Sequence, residues 1–128
     1  MKVFLTIILI ILGILFGNER SSAQTLTNVG ATITVTGGCT FYVSGPTFNY
    51  AGRIDGMDLS RLIFDGPVDI REGGLYLNKD CTGRITGDLF IALGGTCWRY
   101  KPGVLTVEGT ITNEGQLNND GEIVIGRP

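Results

Sequence analysis

Four aspartates lie close together in the chain and are the residues that come nearest to a catalytic set: Asp55, Asp58, Asp65 and Asp69. A glycosidase or lyase uses two acids that face each other across a sugar at a defined separation. Asp55 and Asp65 each precede a glycine, however, and an Asp-Gly pair is ordinary turn chemistry. We therefore interpret these acids as turn and surface residues, and we expect no catalytic residues and no enzymatic activity.

The composition excludes several other kinds of chemistry. The 128-residue chain has no histidine, which rules out Ser-His-Asp catalysis, Cys-His catalysis and histidine-ligated metals. Calcium loops of the Asp-x-Asp-x-Asp-Gly and Gly-Gly-x-Gly-x-Asp types do not occur, and no glycine pair is followed by the Lys-Ser/Thr of a phosphate loop. The net charge is −2, without a basic block. We expect no metal, no cofactor and no nucleic-acid partner.

Three cysteines, Cys39, Cys81 and Cys97, supply the remaining reactive side chains. Cys81 and Cys97 are 16 residues apart, close to one turn of a solenoid, which makes them candidates for a disulfide between adjacent turns. The odd number leaves Cys39 as a free or intermolecular thiol. Burial as inert thiols is the alternative for all three.

Trp98 and Tyr100 alternate along the chain and therefore lie on one face of a strand, with Arg99 and Lys101 on the other. An aromatic pair of this kind forms either a sugar-stacking platform or an interface. In a thin rod, large rings more often fill the core or its ends, and both interpretations stay open.

The N-terminal segment has the three parts of a secretory signal peptide. Lys2 precedes an apolar run from 3 to 16, and Ser21 and Ala23 are the small residues that signal peptidase needs. The run is roughly 14 residues long, whereas spanning a bilayer takes about 20. The sequence predicts a removable signal peptide over residues 1–23, cleavage between Ala23 and Gln24, and a secreted mature chain without a membrane anchor.

The mature region, 24–128, has the patterns of an all-β protein. Apolar and polar residues alternate in short runs such as 31–36 and 89–93, and Gly and Pro pairs separate these runs. A helical stripe of apolar residues does not occur, and glycine recurs too often for helix interiors. We find no linker composition, so the region is predicted to be a single domain.

A hexapeptide repeat near the C-terminus indicates the architecture. Residues 103–126 divide into the units GVLTVE, GTITNE, GQLNND and GEIVIG. The third position of each unit is aliphatic: Leu105, Ile111, Leu117 and Ile123. This pattern predicts a parallel β-helix, or β-solenoid, with the aliphatic residues inside and the glycines at corners of positive φ. Apolar strand centres 16 to 18 residues apart predict about six coils. A β-sandwich is the alternative.

The stretch GTITNEGQLNNDGEIVIG resembles the passenger repeats of bacterial secreted adhesins and surface β-helix proteins, which run as Gly-Thr-hydrophobic-Thr-Asn-x-Gly units. The stretch TLTNVGATITVTGG is similar to the first coil of such proteins. The resemblance covers about a third of the chain. It implies a β-solenoid fold and an extracellular location in bacteria.

A solenoid leaves a strand edge at each end, and such edges pair readily with another chain. Only Gly126, Arg127 and Pro128 follow the last predicted strand. We therefore expect the mature protein to stack head to tail with copies of itself, as a secreted structural subunit of an extracellular fibre. The alternatives are a surface adhesion module that binds glycans through Trp98 and Tyr100 and, third, a polysaccharide-active enzyme.

Overall fold

The computed structural model describes residues 24–127, and these form strands and connecting turns without a helix. Among them, accordingly, no helix is long and apolar enough to cross a bilayer. Residues 1–23 lie outside the described part, and so does the predicted signal peptide with Ala23. Eleven strands follow one another along the chain: β1 (Leu26–Val35), β2 (Thr40–Val43), β3 (Thr47–Gly56), β4 (Arg61–Phe64), β5 (Val68–Leu77), β6 (Thr82–Ile85), β7 (Leu89–Arg99), β8 (Val104–Val107), β9 (Ile111–Asn113), β10 (Gln116–Asn119) and β11 (Glu122–Ile125).

Long and short strands alternate from β1 to β8, the last three strands are short, and all eleven form two separate sheets. Sheet A has the order β1-β3-β5-β7-β10, with β9 also paired to β7, and sheet B has the order β2-β4-β6-β8-β11. Every strand pair is parallel and joins a strand to the next one of its own sheet. The chain therefore winds as a β-solenoid of about five turns, or rungs. This confirms the predicted all-β solenoid, and the sandwich alternative is wrong.

The rungs are longer and fewer than the sequence spacing predicted. Thr47 pairs with Val68 and Thr82 pairs with Val104, which gives rungs of 21 and 22 residues. An 18-residue step occurs only at the end, where Val104 pairs with Glu122. The predicted coil length was wrong because it compared Ile91 with Leu105, and these residues belong to different sheets.

Each C-terminal hexapeptide forms one short strand, from β8 to β11. The third-position aliphatics face inward as predicted: Leu105 is fully buried, and the other three pack against the core. The repeat glycines, however, do not have positive φ angles. They are needed for a different reason, because a Cβ on Gly103 would lie 2.5 Å from the Cys81 carbonyl oxygen of the preceding rung. Adjacent rungs approach too closely at these corners for a side chain.

Inward side chains of successive rungs stack in columns that form the core. A column of sheet A consists of Ile33, Ile54, Leu75, Cys97 and Leu117. A column of sheet B consists of Val43, Phe64, Ile85, Val107 and Ile125. Burial is complete in the middle rungs and partial at both ends. The core is thus a rod of mainly apolar side chains, whose burial is the main source of stability, with a few buried polar residues such as Thr47, Asn49 and Arg99.

The long strands of sheet A bend halfway along their length. Gly30, Gly52 and Gly73 occupy the bend on consecutive rungs with φ angles of 98°, 98° and 82°. On the inner side, the Asn28 amide both donates to and accepts from the backbone of Ala31, with both hydrogen bonds 2.9 Å long. Positive-φ glycines therefore fold β1, β3 and β5 into two walls of the rod, and an inward asparagine supports the bend in β1 and, as Asn49, in β3.

Candidate functional site

Trp98 and Tyr100 lie on the outer surface of sheet A and at its end. Their rings stack with centroids 5.4 Å apart and planes 19° apart, and both are half-buried. Tyr76 lies one rung below Trp98, and the guanidinium of Arg53, from the rung below that, lies 3.9 Å from the centroid of the Tyr76 ring. The core, by contrast, buries Phe64 completely. The rings of Trp98 and Tyr100 thus lie outside the rod, where they face solvent rather than fill the interior.

The three cysteines are free thiols in the structure, and the expected Cys81–Cys97 pair is not formed. That expectation assumed a coil of about 17 residues, so 16 residues would have joined adjacent rungs. With rungs of 21 to 22 residues, Cys97 instead lies in sheet A beside Leu75, and Cys81 lies in the turn before sheet B. The Ser60 hydroxyl donates to the Cys81 sulfur at 3.5 Å.

Cys39 is exposed, whereas Cys81 and Cys97 are buried. Burial raises the pKa of the Cys97 thiol to about 12 and also raises the pKa of Cys81. Both buried groups therefore remain neutral thiols well above neutral pH, and a neutral thiol is a poor nucleophile.

We expect a thiol reagent at pH 8 to label one cysteine per native chain, Cys39, and all three after unfolding in guanidinium chloride. Mass spectrometry of the labelled peptides checks the assignment, and Cys39→Ser should abolish the native reaction. Labelling of Cys39 alone after unfolding would instead reveal the Cys81–Cys97 disulfide and contradict the free thiols described above.

The four aspartates considered as a catalytic set are dispersed and engaged separately. The interpretation of Asp55 as a turn residue is wrong, because Asp55 lies inside β3 and is buried. Asp55 pairs with Arg53 at 2.5 Å, and Asp69, in β5, pairs with Arg71 at 2.9 Å. Asp58 accepts from the Thr36 hydroxyl at 2.8 Å. Asp65 lies at the end of β4 and accepts from the hydroxyls of Tyr42 and Thr86 at 3.1 and 2.9 Å.

Arg99 is fully buried in an inward column of sheet A, between Leu77 and Asn119. Its Nη2 donates to the Asn119 side-chain oxygen at 2.8 Å, while Nε and Nη1 have no hydrogen-bond partner among the described residues. Burial lowers the pKa of this guanidinium. An incompletely paired buried cation costs stability. Alternation predicted that Arg99 lies on the face opposite Trp98, but not that this face points into the rod, and we did not expect a buried arginine.

Replacing this cation by an apolar side chain should stabilise the rod. For Arg99→Leu we expect the free energy of unfolding to rise by about 1–3 kcal/mol, because buried charges are often replaced at a gain by well-packed apolar groups. Asn119 is exposed and can bond to water instead. Urea denaturation checks this, with Arg99→Ala as the control that leaves a cavity. A loss of stability in Arg99→Leu would show that the guanidinium contributes to the fold.

The first rung, formed by β1 and β2, presents an uncharged edge. Both strands are the outermost strands of their sheets. Residues 24–45 contain no Asp, Glu, Lys or Arg, although charged side chains are the usual protection of an exposed edge. Gln24, where the predicted mature chain begins, is exposed, and its backbone nitrogen donates to the Ser44 hydroxyl at 3.1 Å.

The last rung, formed by β9, β10 and β11, presents an edge with exposed core side chains. Its inward aliphatic residues are only partly covered, and Ile125 is 64 % exposed. No described residue forms a further strand on either sheet beyond this rung. Its charged side chains are mainly acidic and lie in turns or on the outer face, as for Asp120 and Glu122.

The two terminal rungs carry matching side chains in the same columns. Ile111, Leu117, Ile123 and Ile125 of the last rung share their columns with Leu26, Ile33, Phe41 and Val43 of the first. A copy placed on the last rung in parallel register would therefore bring apolar side chains of the two copies into contact at four positions of the joint.

No protein-family model matches the chain, and no curated protein or solved structure is significantly similar to it.

Proposed function

We propose that this protein is a structural subunit that stacks end to end with copies of itself and forms a fibre outside the cell. The matching apolar columns of the first and last rungs are the observation that carries this proposal. Each joint would bury aliphatic side chains that a single chain leaves half-exposed.

The backbone supports the same arrangement. The outer edges of β1 and β2 carry backbone donors and acceptors that have no strand partner within the described chain, and so do the edges of β9, β10 and β11. Parallel stacking pairs them as the internal rungs are paired. The contact joins two different surfaces, so it repeats without closing and produces a filament.

The absence of charged residues on the first rung favours the last rung of another copy as the surface that it packs against. When residues 24–45 pack on a last rung whose acids point outward or lie in turns, no first-rung carboxylate meets them. Two first rungs would also avoid charge repulsion, but they would pair antiparallel and stop at a dimer. The predicted signal peptide and the resemblance to secreted β-helix repeats support the extracellular location.

Electron microscopy and light scattering of the mature chain, residues 24–128, test the proposal. We expect unbranched fibres one solenoid wide, with scattering that rises steeply above a threshold concentration. Monodisperse monomers at high concentration contradict self-assembly, and dimers that do not grow contradict the head-to-tail joint.

A further inference from the structure

An asparagine occupies the same inward column on the first and on the last rung. The column takes one residue from each rung of sheet A, in the order Asn28, Asn49, Ile70, Ile91 and Asn113. The two isoleucines are fully buried and Asn28 is buried as well, whereas Asn113 lies at the open end of the rod and is exposed. A parallel stack would therefore place Asn113 of one copy against Asn28 of the next.

The bend that follows each terminal asparagine orients its amide. The Asn28 Oδ1 accepts from the Ala31 nitrogen at 2.9 Å, and the Asn113 Oδ1 accepts from the Gly115 nitrogen at 3.1 Å. The Asn28 Nδ2 donates to the Ala31 oxygen. No described residue accepts from the Asn113 Nδ2. The last rung therefore carries an oriented amide with unused donors in a column that stacking would bury.

Asn49 shows which acceptor such a donor takes from the adjacent rung. Its Nδ2 donates to the Gly74 oxygen, one rung further along the rod, at 3.2 Å. Gly74 shares its column with Arg53 and, on the first rung, with Thr32. In a parallel stack, the Thr32 carbonyl of the next copy therefore takes the corresponding place above Asn113.

We infer that Asn113 selects the register of the end-to-end joint and so restricts the partner of the last rung to the first rung of another copy. The inference rests on the proposed function and deepens it. The apolar positions of the joint supply most of its affinity. A buried amide is tolerated only where its hydrogen bonds are made, and one polar residue in an apolar interface fixes register at some cost in affinity.

The apolar positions alone do not distinguish the correct register from a slip by two residues. Inward residues recur at every second position of a strand, so such a slip keeps them inside. In sheet B it places Ile125 on Phe41, which is still an apolar contact. In sheet A it places Asn113 on Leu26 and moves its amide away from the Thr32 carbonyl. The slipped joint would thus bury an unpaired amide.

Disulfide trapping of the joint tests this role. In residues 24–128 carrying Cys39→Ser, the pair Thr40→Cys/Glu122→Cys traps the in-register joint, and Thr40→Cys/Val124→Cys traps the slipped one. On oxidation, the native sequence should form polymers faster with the first pair. Asn113→Leu should still form fibres but lower this preference at least about fivefold, the smallest factor expected from an unpaired buried amide. Asn113→Ala, which adds no bulk, should lower the preference too.

Thr112→Leu is the matched control, because Thr112 precedes Asn113 in β9, is exposed and faces outward. It should leave the preference within about twofold, with circular dichroism confirming the fold of each variant. An unchanged preference in Asn113→Leu, an equal change in Thr112→Leu, or loss of fibres in Asn113→Leu would overturn the inference while the native fibre stands. Absence of fibres and of polymers from the native sequence would instead overturn the proposed function, and this inference with it.

Discussion

Leu117→Lys is expected to abolish the proposed assembly of residues 24–128 into fibres. Leu117 lies in β10, faces inward and is only partly buried, in the column that begins with Ile33 on the first rung. In a stacked pair the ammonium group of the introduced lysine would enter an apolar column without a counter-ion. Such a burial costs about 3–5 kcal/mol, so the association constant should fall at least about a hundredfold.

The folded monomer should survive this substitution, because at the open end of the rod a lysine can extend its ammonium into water. Gln116→Lys is the matched control: it lies in the same strand, is exposed and faces outward. Light scattering against concentration should show unchanged assembly for Gln116→Lys and none for Leu117→Lys. Fibres from both variants would rule out the last rung as part of the joint.

Gly73→Ala should be the most destabilising of the small substitutions considered. Gly73 has a φ of 82°, and a Cβ there would overlap the Gly52 carbonyl oxygen and lie 2.7 Å from the Gly52 nitrogen. Left-handed strain costs about 1–2 kcal/mol and overpacking about 1–3 kcal/mol. The free energy of unfolding should therefore fall by about 2–5 kcal/mol, measured by urea denaturation.

Gly37→Ala separates the two causes. Its φ is 66°, but a Cβ would meet nothing within 4 Å, so only the conformational cost of about 1–2 kcal/mol applies. If Gly73→Ala and Gly37→Ala lower the free energy of unfolding equally, the close approach of Gly73 to Gly52 at the bend is contradicted.

The fold could be predicted from the C-terminal hexapeptides because each of them is one strand with an inward aliphatic. The rung length could not, since a long strand that bends inside sheet A carries no Pro or Asp-Gly signal at the bend. The rung length is instead visible in the spacing of the bend glycines, which is 22 residues from Gly30 to Gly52 and 21 residues from Gly52 to Gly73. Glycines at such spacing mark one column of the solenoid.

The cysteine and arginine positions show two further limits of the sequence patterns. A 16-residue spacing joins adjacent rungs only if the rung length is known, so the error in rung length became an error in the Cys81–Cys97 pair. Alternation correctly predicted that Arg99 and Trp98 lie on opposite faces, but it did not predict that the face of Arg99 is the buried one, because burial of a charge runs against the usual partition of residue types.

In-register cross-linking tests the end-to-end joint most directly. In a Cys39→Ser background, Thr40→Cys on the first rung and Glu122→Cys on the last rung share one outward column, through Arg61, Thr82 and Val104. Parallel stacking places the two new thiols within disulfide range in neighbouring copies. Oxidation should produce a ladder of polymers on a non-reducing gel, and Thr40→Cys/Val124→Cys, offset by two residues, should produce far fewer. Cross-linked dimers alone, or no difference between the two pairs, would contradict the head-to-tail fibre.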